Sequence, residues 1–175
     1  MTSNQTKPRA NFYTLIHKAI RFKLYDYSIE LGKVDLNTEE DVQRLQEQFL
    51  TIKDLLEHHS YHEDTYLHPF MKKYLPEEVA LIEGDHEHLD ADLEALNNWA
   101  TRLRDEKDSK EKQTIWNEFY LQYNDFVASF VKHLHLEEYV AMPKLWPLCT
   151  DEELMEIHHQ DLMQLGIWNQ QAFQQ

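Results

Sequence analysis

The chain has 175 residues and a formal net charge of -15, with 32 acidic side chains against 17 lysines and arginines. That length suits one domain with a sizeable core, and the strong negative charge argues against a nucleic-acid surface, which needs clustered lysine and arginine. Neither a signal-peptide core nor an apolar run of about 18 residues occurs, and Cys149 is the only cysteine, so no intramolecular disulfide can form. We therefore expect a soluble, cytoplasmic protein without a membrane or nucleic-acid partner.

Local breakers divide the chain into five predicted helices, preceded by a flexible segment at residues 1–9. The low content of 3 glycines and 5 prolines favours helix, and no segment shows the sustained alternation that a strand requires. Gly32–Asn37 separates the first helix from the second, which starts at Thr38 with the Thr38 hydroxyl as its cap, and the third helix starts at Pro76. The polar joint Arg104–Lys112 precedes the fourth helix. The fifth helix lies within residues 148–175 and is capped by Thr150.

Apolar residues recur at spacings of three and four along the first four helices, with Tyr66 and Val140 expected to extend the second and fourth stripes. Four such stripes predict an all-α fold, an antiparallel, up-down four-helix bundle over residues 10–147. Histidine interrupts every stripe, and a glutamate four residues later interrupts the second and fourth. Burying a carboxylate costs free energy unless the carboxylate is paired or binds a metal. Six intrusions therefore indicate one shared cause: they are His17, His59, Glu63, His86, His133 and Glu137.

An internal repeat separates these residues from their polar neighbours. Residues 74 positions apart match in four pairs, which are His59 with His133, Glu63 with Glu137, Asp64 with Glu138, and Pro69 with Pro143. An acid four residues after a histidine shares its helix face, whereas an acid five residues after it diverges; this favours Glu63 and Glu137 over Asp64 and Glu138. Four other histidines are expected to be solvated or to lie outside the ligand set: His58, His62, His88 and His135.

The fifth predicted helix has an apolar face of its own, formed by Leu154, Ile157, Leu162, Leu165 and Trp168. This face predicts a lid packed on the bundle, with a dimer contact as the alternative. His158 and His159 stand near the start of the helix and could approach the site, but they lack a partner pattern.

The order of these residues resembles the hemerythrin-like, or HHE cation-binding, family. That family has one histidine on its first helix, His-x-x-x-Glu on its second, histidine on its third and His-x-x-x-Glu on its fourth, and the segments "HEDTYLHPFM" and "LEEYVAMPKL" are similar to its signature of two acids followed by proline. The resemblance implies a non-haem di-iron centre with an oxo or hydroxo bridge and a place for a small molecule. It also implies the ligand set: His17 and His59 on one iron, His86 and His133 on the other, and Glu63 and Glu137 as bridges.

One position departs from the oxygen-carrying members of the family. They have a second histidine four residues after the histidine of helix three, and here that place is Asp90, in "HEHLDAD". Either Asp90 is an additional oxygen ligand, or the place is vacant and both irons keep exchangeable positions. A vacant place resembles the family's nitric-oxide-responsive repair proteins, although the cysteine-bearing N-terminal segment usual in those proteins is missing here.

These features predict a di-iron protein that binds or reacts with oxygen, nitric oxide or hydrogen peroxide, for sensing, scavenging or iron and oxygen handling. We expect a monomer or weak homodimer. The alternative is a di-iron oxidative enzyme that activates oxygen on an organic substrate, with Tyr13, Tyr66 and Tyr123 as candidate lining residues. A third interpretation, a ferritin-like carboxylate site, rests on the Glu-x-x-His spacings of Glu83 with His86 and of Glu156 with His159.

Overall fold

The structure is a computed structural model that describes residue 9 and residues 11–164, with 158–164 as backbone only. Within these residues every regular element is helical and no strand occurs, which confirms the all-helical prediction. The predicted flexible segment, apart from Arg9, lies outside the described residues, as do the side chains of His158, His159 and Leu162 and the whole of Leu165 and Trp168. The main helices are α1 (Thr14–Leu31), α2 (Glu39–His62), α3 (Pro76–Asp105), α4 (Ser109–Leu136) and α5 (Asp151–Gln164).

Helices α2 and α4 each continue through a π-helical turn, at Glu63–Leu67 and Glu137–Ala141. Short α-helices follow at His68–Met71 and Met142–Leu145, and a 3-10 turn follows the second at Trp146–Leu148. The two π turns lie 74 residues apart, so the repeat in the sequence is also a repeat in the backbone. Such turns interrupt the regular helical hydrogen bonding and are frequent at functional sites.

The π turns shift the buried stripe by one residue. Leu67 and Ala141 are buried, whereas Tyr66 and Val140 are partly exposed. The prediction that Tyr66 and Val140 carry the stripe was therefore wrong. A spacing of three holds for a continuous α-helix, and the wider π turn adds a residue before the chain faces the core again.

Helices α1 to α4 enclose one interior. The principal contacts join α1 with α2, α2 with α3, α3 with α4, and α4 with α1, so each helix packs against two of the others. Helix α5 contacts the first π turn, and its Leu154 is buried. Arg9 also reaches this end of the molecule, where its guanidinium binds the Asp151 carboxylate at 2.6 Å and the carbonyl of Cys149 at 2.8 Å.

The two predicted threonine caps have different outcomes. The Thr150 hydroxyl accepts a hydrogen bond from the Glu153 backbone N–H at 3.2 Å, and the Glu153 carboxylate accepts one from the Thr150 N–H at 2.8 Å. This reciprocal pair is a capping box, and it confirms the predicted start of α5. The predicted start at Thr38 is confirmed, since α2 begins at the next residue, but the predicted cap was wrong, because the Thr38 hydroxyl makes no cap at α2. The hydroxyl contacts the Asp35 side chain instead.

A polar layer separates two apolar clusters of the core. Along α1, His17 stands between Tyr13 of the smaller cluster and Ile20 of the larger one, and along α3 His86 stands between Ile82 and Leu89 in the same way. The polar side chains are thus held in the interior by apolar packing above and below them. No helix among the described residues is both long and apolar enough to cross a bilayer.

Candidate metal centre

The six intruding side chains are all buried in the polar layer. Two have no exposed surface, His17 and Glu137, and none of the six is more than 7% exposed. Four helices and both π turns supply them: His17 from α1, His59 from α2, Glu63 from the first π turn, His86 from α3, His133 from α4 and Glu137 from the second π turn. Charged side chains are almost never buried to this extent unless they are paired or bind a metal.

The six residues form two groups of four that share both glutamates. His17 and His59 form one group with Glu63 and Glu137, and His86 and His133 form the other with the same two carboxylates. Within each group, one nitrogen or oxygen from every residue lies within 4.8 Å of the others. This arrangement provides two adjacent positions joined by two common carboxylates.

The histidine–glutamate distances inside the groups are longer than ordinary hydrogen bonds, whereas Nε2 of His86 lies 3.1 Å from Nε2 of His133. Nε2 of His17 lies 3.7 Å from Glu63 Oε1 and 3.4 Å from Glu137 Oε2, and Nε2 of His59 lies 3.3 Å from Glu63 Oε1. Hydrogen bonds from N–H to oxygen are typically about 2.7–3.2 Å long. Two ligands that are each about 2.1 Å from one octahedral ion lie roughly 3.0 Å apart at right angles and about 4.2 Å apart when opposite. The observed separations fall within this ligand range.

Several atoms that face this interior have no hydrogen bond among the described residues. They are Nε2 of His17, Nε2 of His59 and both carboxylate oxygens of Glu137. A buried polar atom left unsatisfied costs about 1–3 kcal/mol, so one cation in each position would satisfy several such atoms at once. Imidazole nitrogen and carboxylate oxygen, without thiolate, form a donor set that suits iron, and it also accepts manganese or zinc. The residues present therefore fit a pair of metal ions.

The model of the hemerythrin HHE cation binding domain matches residues 11–145 of the chain. The chain belongs to this family. The matched range contains all six buried residues and both π turns. No curated protein matches the chain.

An outer carboxylate orients the α1 histidine of this hemerythrin HHE domain. His17 Nδ1 donates a hydrogen bond to Glu138 at 2.9 Å, and Arg21 donates two to the same carboxylate at 2.8 and 3.0 Å. With its proton on Nδ1, His17 presents the lone pair of Nε2 to Glu63 and Glu137. A carboxylate behind a metal-binding histidine fixes the tautomer and the ring orientation in this way.

Asp64 occupies the matching place in the other half of the hemerythrin HHE domain. Its Oδ1 accepts from His86 Nδ1 at 3.0 Å and from His68 Nδ1 at 2.9 Å. The second donor is thus a histidine, where Glu138 has an arginine. The two carboxylates also differ in exposure, since the Asp64 side chain is 47% exposed and that of Glu138 is 13% exposed.

His68 is the residue of this site that sequence reasoning missed. It has no exposed surface, and its ring stacks on that of His86 with centroids 5.4 Å apart. The repeat gave no reason to select it, because the equivalent residue is the buried, apolar Met142. The signal that could have revealed it is the spacing of four from Asp64, which places both side chains on one side of the helical segment.

Asp90, the possible additional ligand, is exposed and belongs to neither group of four. It stands four residues after His86, as Arg21 stands four residues after His17. Loss of water contact raises the pKa of the Asp90 carboxyl, and the nearby Asp64 charge adds to this effect.

The remaining polar candidates lie outside the centre. His58, His88 and His135 are exposed and His62 is partly exposed. Glu83, from the ferritin-like spacing, forms an ion pair with Lys72 at 2.6 Å and joins none of the groups that include His86.

Of the candidate tyrosines, Tyr13 reaches the centre, where its ring stacks on His17 at 5.0 Å and its hydroxyl donates to Met71 Sδ at 3.4 Å. Tyr123 donates instead to the Leu24 carbonyl within the larger cluster.

Burial sets the charge of the centre in the absence of metal. It lowers the pKa of His17, and it lowers the pKa of His59 to about 3. For Glu137 burial alone would raise the pKa, but the approach of His133, together with His17 and His59 at the low pH where they are protonated, outweighs it and lowers the value to about 2. At neutral pH the carboxylate is thus ionised and His17 and His59 are neutral, which are the protonation states that bind a cation.

Replacing Asp64 by alanine is expected to weaken metal binding by about 10- to 100-fold, since the His86 ring would lose the acceptor that orients it. The Nδ1 of buried His68 would also lose its acceptor, which should lower the free energy of unfolding of the metal-free protein by about 1–3 kcal/mol. Metal titration and denaturant unfolding measure the two effects. The matched control is Asp92→Ala on the exposed side of α3, and equal results for the two variants would refute the role of Asp64.

Proposed function

We propose that this hemerythrin HHE domain is a non-haem di-iron protein. In this proposal His17 and His59 bind one iron, His86 and His133 bind the other, and Glu63 and Glu137 bind both. The observation that carries it is the overlap of two buried four-residue groups in the same pair of carboxylates. The unpartnered nitrogens of His17 and His59 and the unpartnered oxygens of Glu137 support it further.

The proposed architecture is supported by the helix contacts. Helices α1 to α4 would alternate in direction and form an antiparallel bundle within residues 10–147, with residues 148–175 packed on one end. The closed ring of helix contacts and the short connection between α3 and α4 support this arrangement. In the cell we expect a cytoplasmic protein, which stays a prediction from the sequence.

The proposed ligand is a small molecule such as oxygen, nitric oxide or hydrogen peroxide. Each iron would receive two imidazole nitrogens and two carboxylate oxygens from the chain, which leaves positions of a six-coordinate ion open. Iron bound there supplies electron transfer and open coordination positions. The burial of all six residues between two apolar clusters favours small molecules over bulky substrates, and the binding would serve sensing, scavenging or iron and oxygen handling.

Metal analysis combined with optical spectroscopy tests the proposal. Protein produced with iron supplied is expected to contain about two iron ions per chain and to show charge-transfer absorption in air. The reduced protein should then be mixed separately with oxygen and with nitric oxide. A stable or reversible adduct supports ligand binding, whereas rapid reoxidation without an adduct favours the oxidative-enzyme alternative, in which Tyr13, stacked on His17, would be a phenol next to the centre. Iron content near zero would overturn the proposal.

A single histidine substitution separates this centre from a ferritin-like one. The His133→Ala variant should lose iron, because His133 is a proposed ligand and has no part in the Glu83 and Glu156 spacings. His88→Ala is the matched control, since His88 is exposed and its Nδ1 bonds only to the Gly84 carbonyl of its own helix. Iron retained in His133→Ala at the level of the control would contradict the proposed ligand set.

A further inference from the structure

Helix α1 carries a line of large apolar side chains on the face that points away from the bundle. Leu15, Phe22 and Ile29 recur every seven residues and are 84%, 65% and 55% exposed, and Tyr25 beside them is 48% exposed. Single exposed apolar residues are ordinary on a protein surface, whereas several aligned on one face of a helix form a candidate interaction surface. The opposite side of the same helix is already occupied by the core.

The charges on α1 run against the direction that its own dipole favours. Its first ten residues contain Lys18, Arg21 and Lys23 without an acid, and the rest of the helix contains Asp26 and Glu30 without a base. A helix dipole favours acids at the N-terminus and bases at the C-terminus. Helices α2, α3 and α5 follow that rule with acids in the first turn, and α1 has none there and no base in its last turn.

The exposed face of α1 is complementary to the same face of a second, antiparallel α1 centred on Phe22. Three pairs of exposed positions equidistant from Phe22 combine an apolar residue with an apolar one, a cation with an anion, and a small side chain with a large one. The combinations are Leu15 with Ile29, Lys18 with Asp26, and Ala19 with Tyr25. The pair next to Phe22, Arg21 and Lys23, is basic on both sides, and there Arg21 already binds the Glu138 carboxylate. A surface that matches its own reverse is what a two-fold interface between identical subunits requires.

We propose that two copies of the chain pair through α1, antiparallel, about a two-fold axis beside Phe22. The two Phe22 side chains then meet at the axis, and Leu15 of each copy lies level with Ile29 of its partner. The basic half of each α1 lies along the acidic half of the other, and the two helix dipoles oppose each other favourably. The proposal does not depend on the metal centre, so it can fail or succeed independently of the proposed function.

Sedimentation and light scattering of the full chain over a range of concentrations test the pairing. The wild-type chain should form dimers, and Phe22→Asp should raise the dimer dissociation constant at least about tenfold, because it places two charges at the centre of the interface. The matched control is Leu121→Asp on α4, a residue of similar exposure (59%), which should leave the dissociation constant within about twofold. Circular dichroism confirms that each variant is folded.

Charge exchange tests the antiparallel register itself. Lys18→Asp and Asp26→Lys should each weaken self-association, because each brings like charges to the same level of the interface. An equimolar mixture of the two variants should form heterodimers, since every such level then combines opposite charges. A mixture that stays monomeric, or a wild-type chain that stays monomeric at millimolar concentration, would overturn the proposal. So would a monomer that binds phosphatidylserine vesicles through Phe22, which would assign the face to a lipid surface.

Discussion

Replacing Glu137 by glutamine is expected to leave the centre with almost no metal, whereas replacing His86 by alanine should leave about one ion per chain. Glu137 belongs to both groups of four, and neither of its buried oxygens has a hydrogen-bond partner in the described structure. Loss of its charge therefore weakens both positions, whereas His86 belongs to one of these two groups. Glutamine keeps the size of the side chain, so the effect comes from the missing charge and the altered donor set.

The affinities should follow the same order. Substitution of residues behind a metal ligand commonly costs 10- to 100-fold in affinity, so we expect Glu137→Gln to cost more than about 100-fold at both positions. Titration of the metal-free protein with Fe(II) under argon measures this, and metal analysis after dialysis gives the number of ions retained.

Two carboxylates provide matched controls for this substitution. Glu138→Gln removes the charge next to Glu137 but affects the centre only through His17 and Arg21, so its loss of affinity should be intermediate. Glu87→Gln removes a charge from the exposed face of α3 and should bind iron as the wild type does. If Glu137→Gln retained two ions with wild-type affinity, the shared carboxylates would not be ligands.

Much of the architecture was accessible from the sequence because helical periodicity is local. Spacings of three and four determine which face of a helix enters the core, and this sufficed to predict an all-helical chain with six polar side chains on its buried faces. The structure brings all six together, and it does so in the two groups that the resemblance implied. Their role as ligands stays a prediction, which the Glu137→Gln experiment tests.

Features that depend on backbone register could not be predicted in the same way. The π turns at Glu63–Leu67 and Glu137–Ala141 change which residue next faces the core, and no residue type in those segments specifies such a turn. His68 was not predicted as a site residue because its burial depends on that register. Threonine is a residue type suited to capping, but the Thr38 hydroxyl contacts the Asp35 side chain instead of the helix end. Short polar side chains commonly have such competing local hydrogen bonds.

The repeat predicted equivalence, and the structure shows where the halves differ. Glu138 is held by Arg21 and is mostly buried, whereas Asp64 is held by two histidines and is about half exposed. A carboxylate fixed by a bidentate arginine restrains its histidine more firmly than one that also contacts water. The position formed by His17 and His59 should therefore bind the first metal ion more tightly than the position formed by His86 and His133.

The metal-free protein is expected to lose stability as the pH falls from 7 to 5, and His59→Leu should remove a large part of this loss. Burial lowers the pKa of His59 from 6.5 to about 3 in the folded protein. Between these values the unfolded chain binds a proton that the folded protein does not, so the free energy of unfolding decreases as the pH decreases. For this one group, the loss between pH 7 and pH 5 is about 2 kcal/mol.

Other groups of the centre modify the slope, so the comparison with the variant isolates His59. The lowered pKa of His17 and of His68 acts in the same direction. The raised pKa of His133 acts in the opposite direction, since its contribution to stability is lost as the pH rises. The lowered pKa of Glu137 takes effect below about pH 4.5, outside the measured range.

Urea unfolding of chelator-treated protein at several pH values between 5 and 7 measures the slope. His88→Leu, at an exposed site on α3, controls for the loss of an imidazole and the gain of an apolar side chain. We expect the wild type and His88→Leu to share a steep dependence and His59→Leu to show a shallower one. Parallel slopes for all three proteins would mean that water reaches the His59 ring, and a centre that admits water so freely would not hold its imidazoles neutral for a cation.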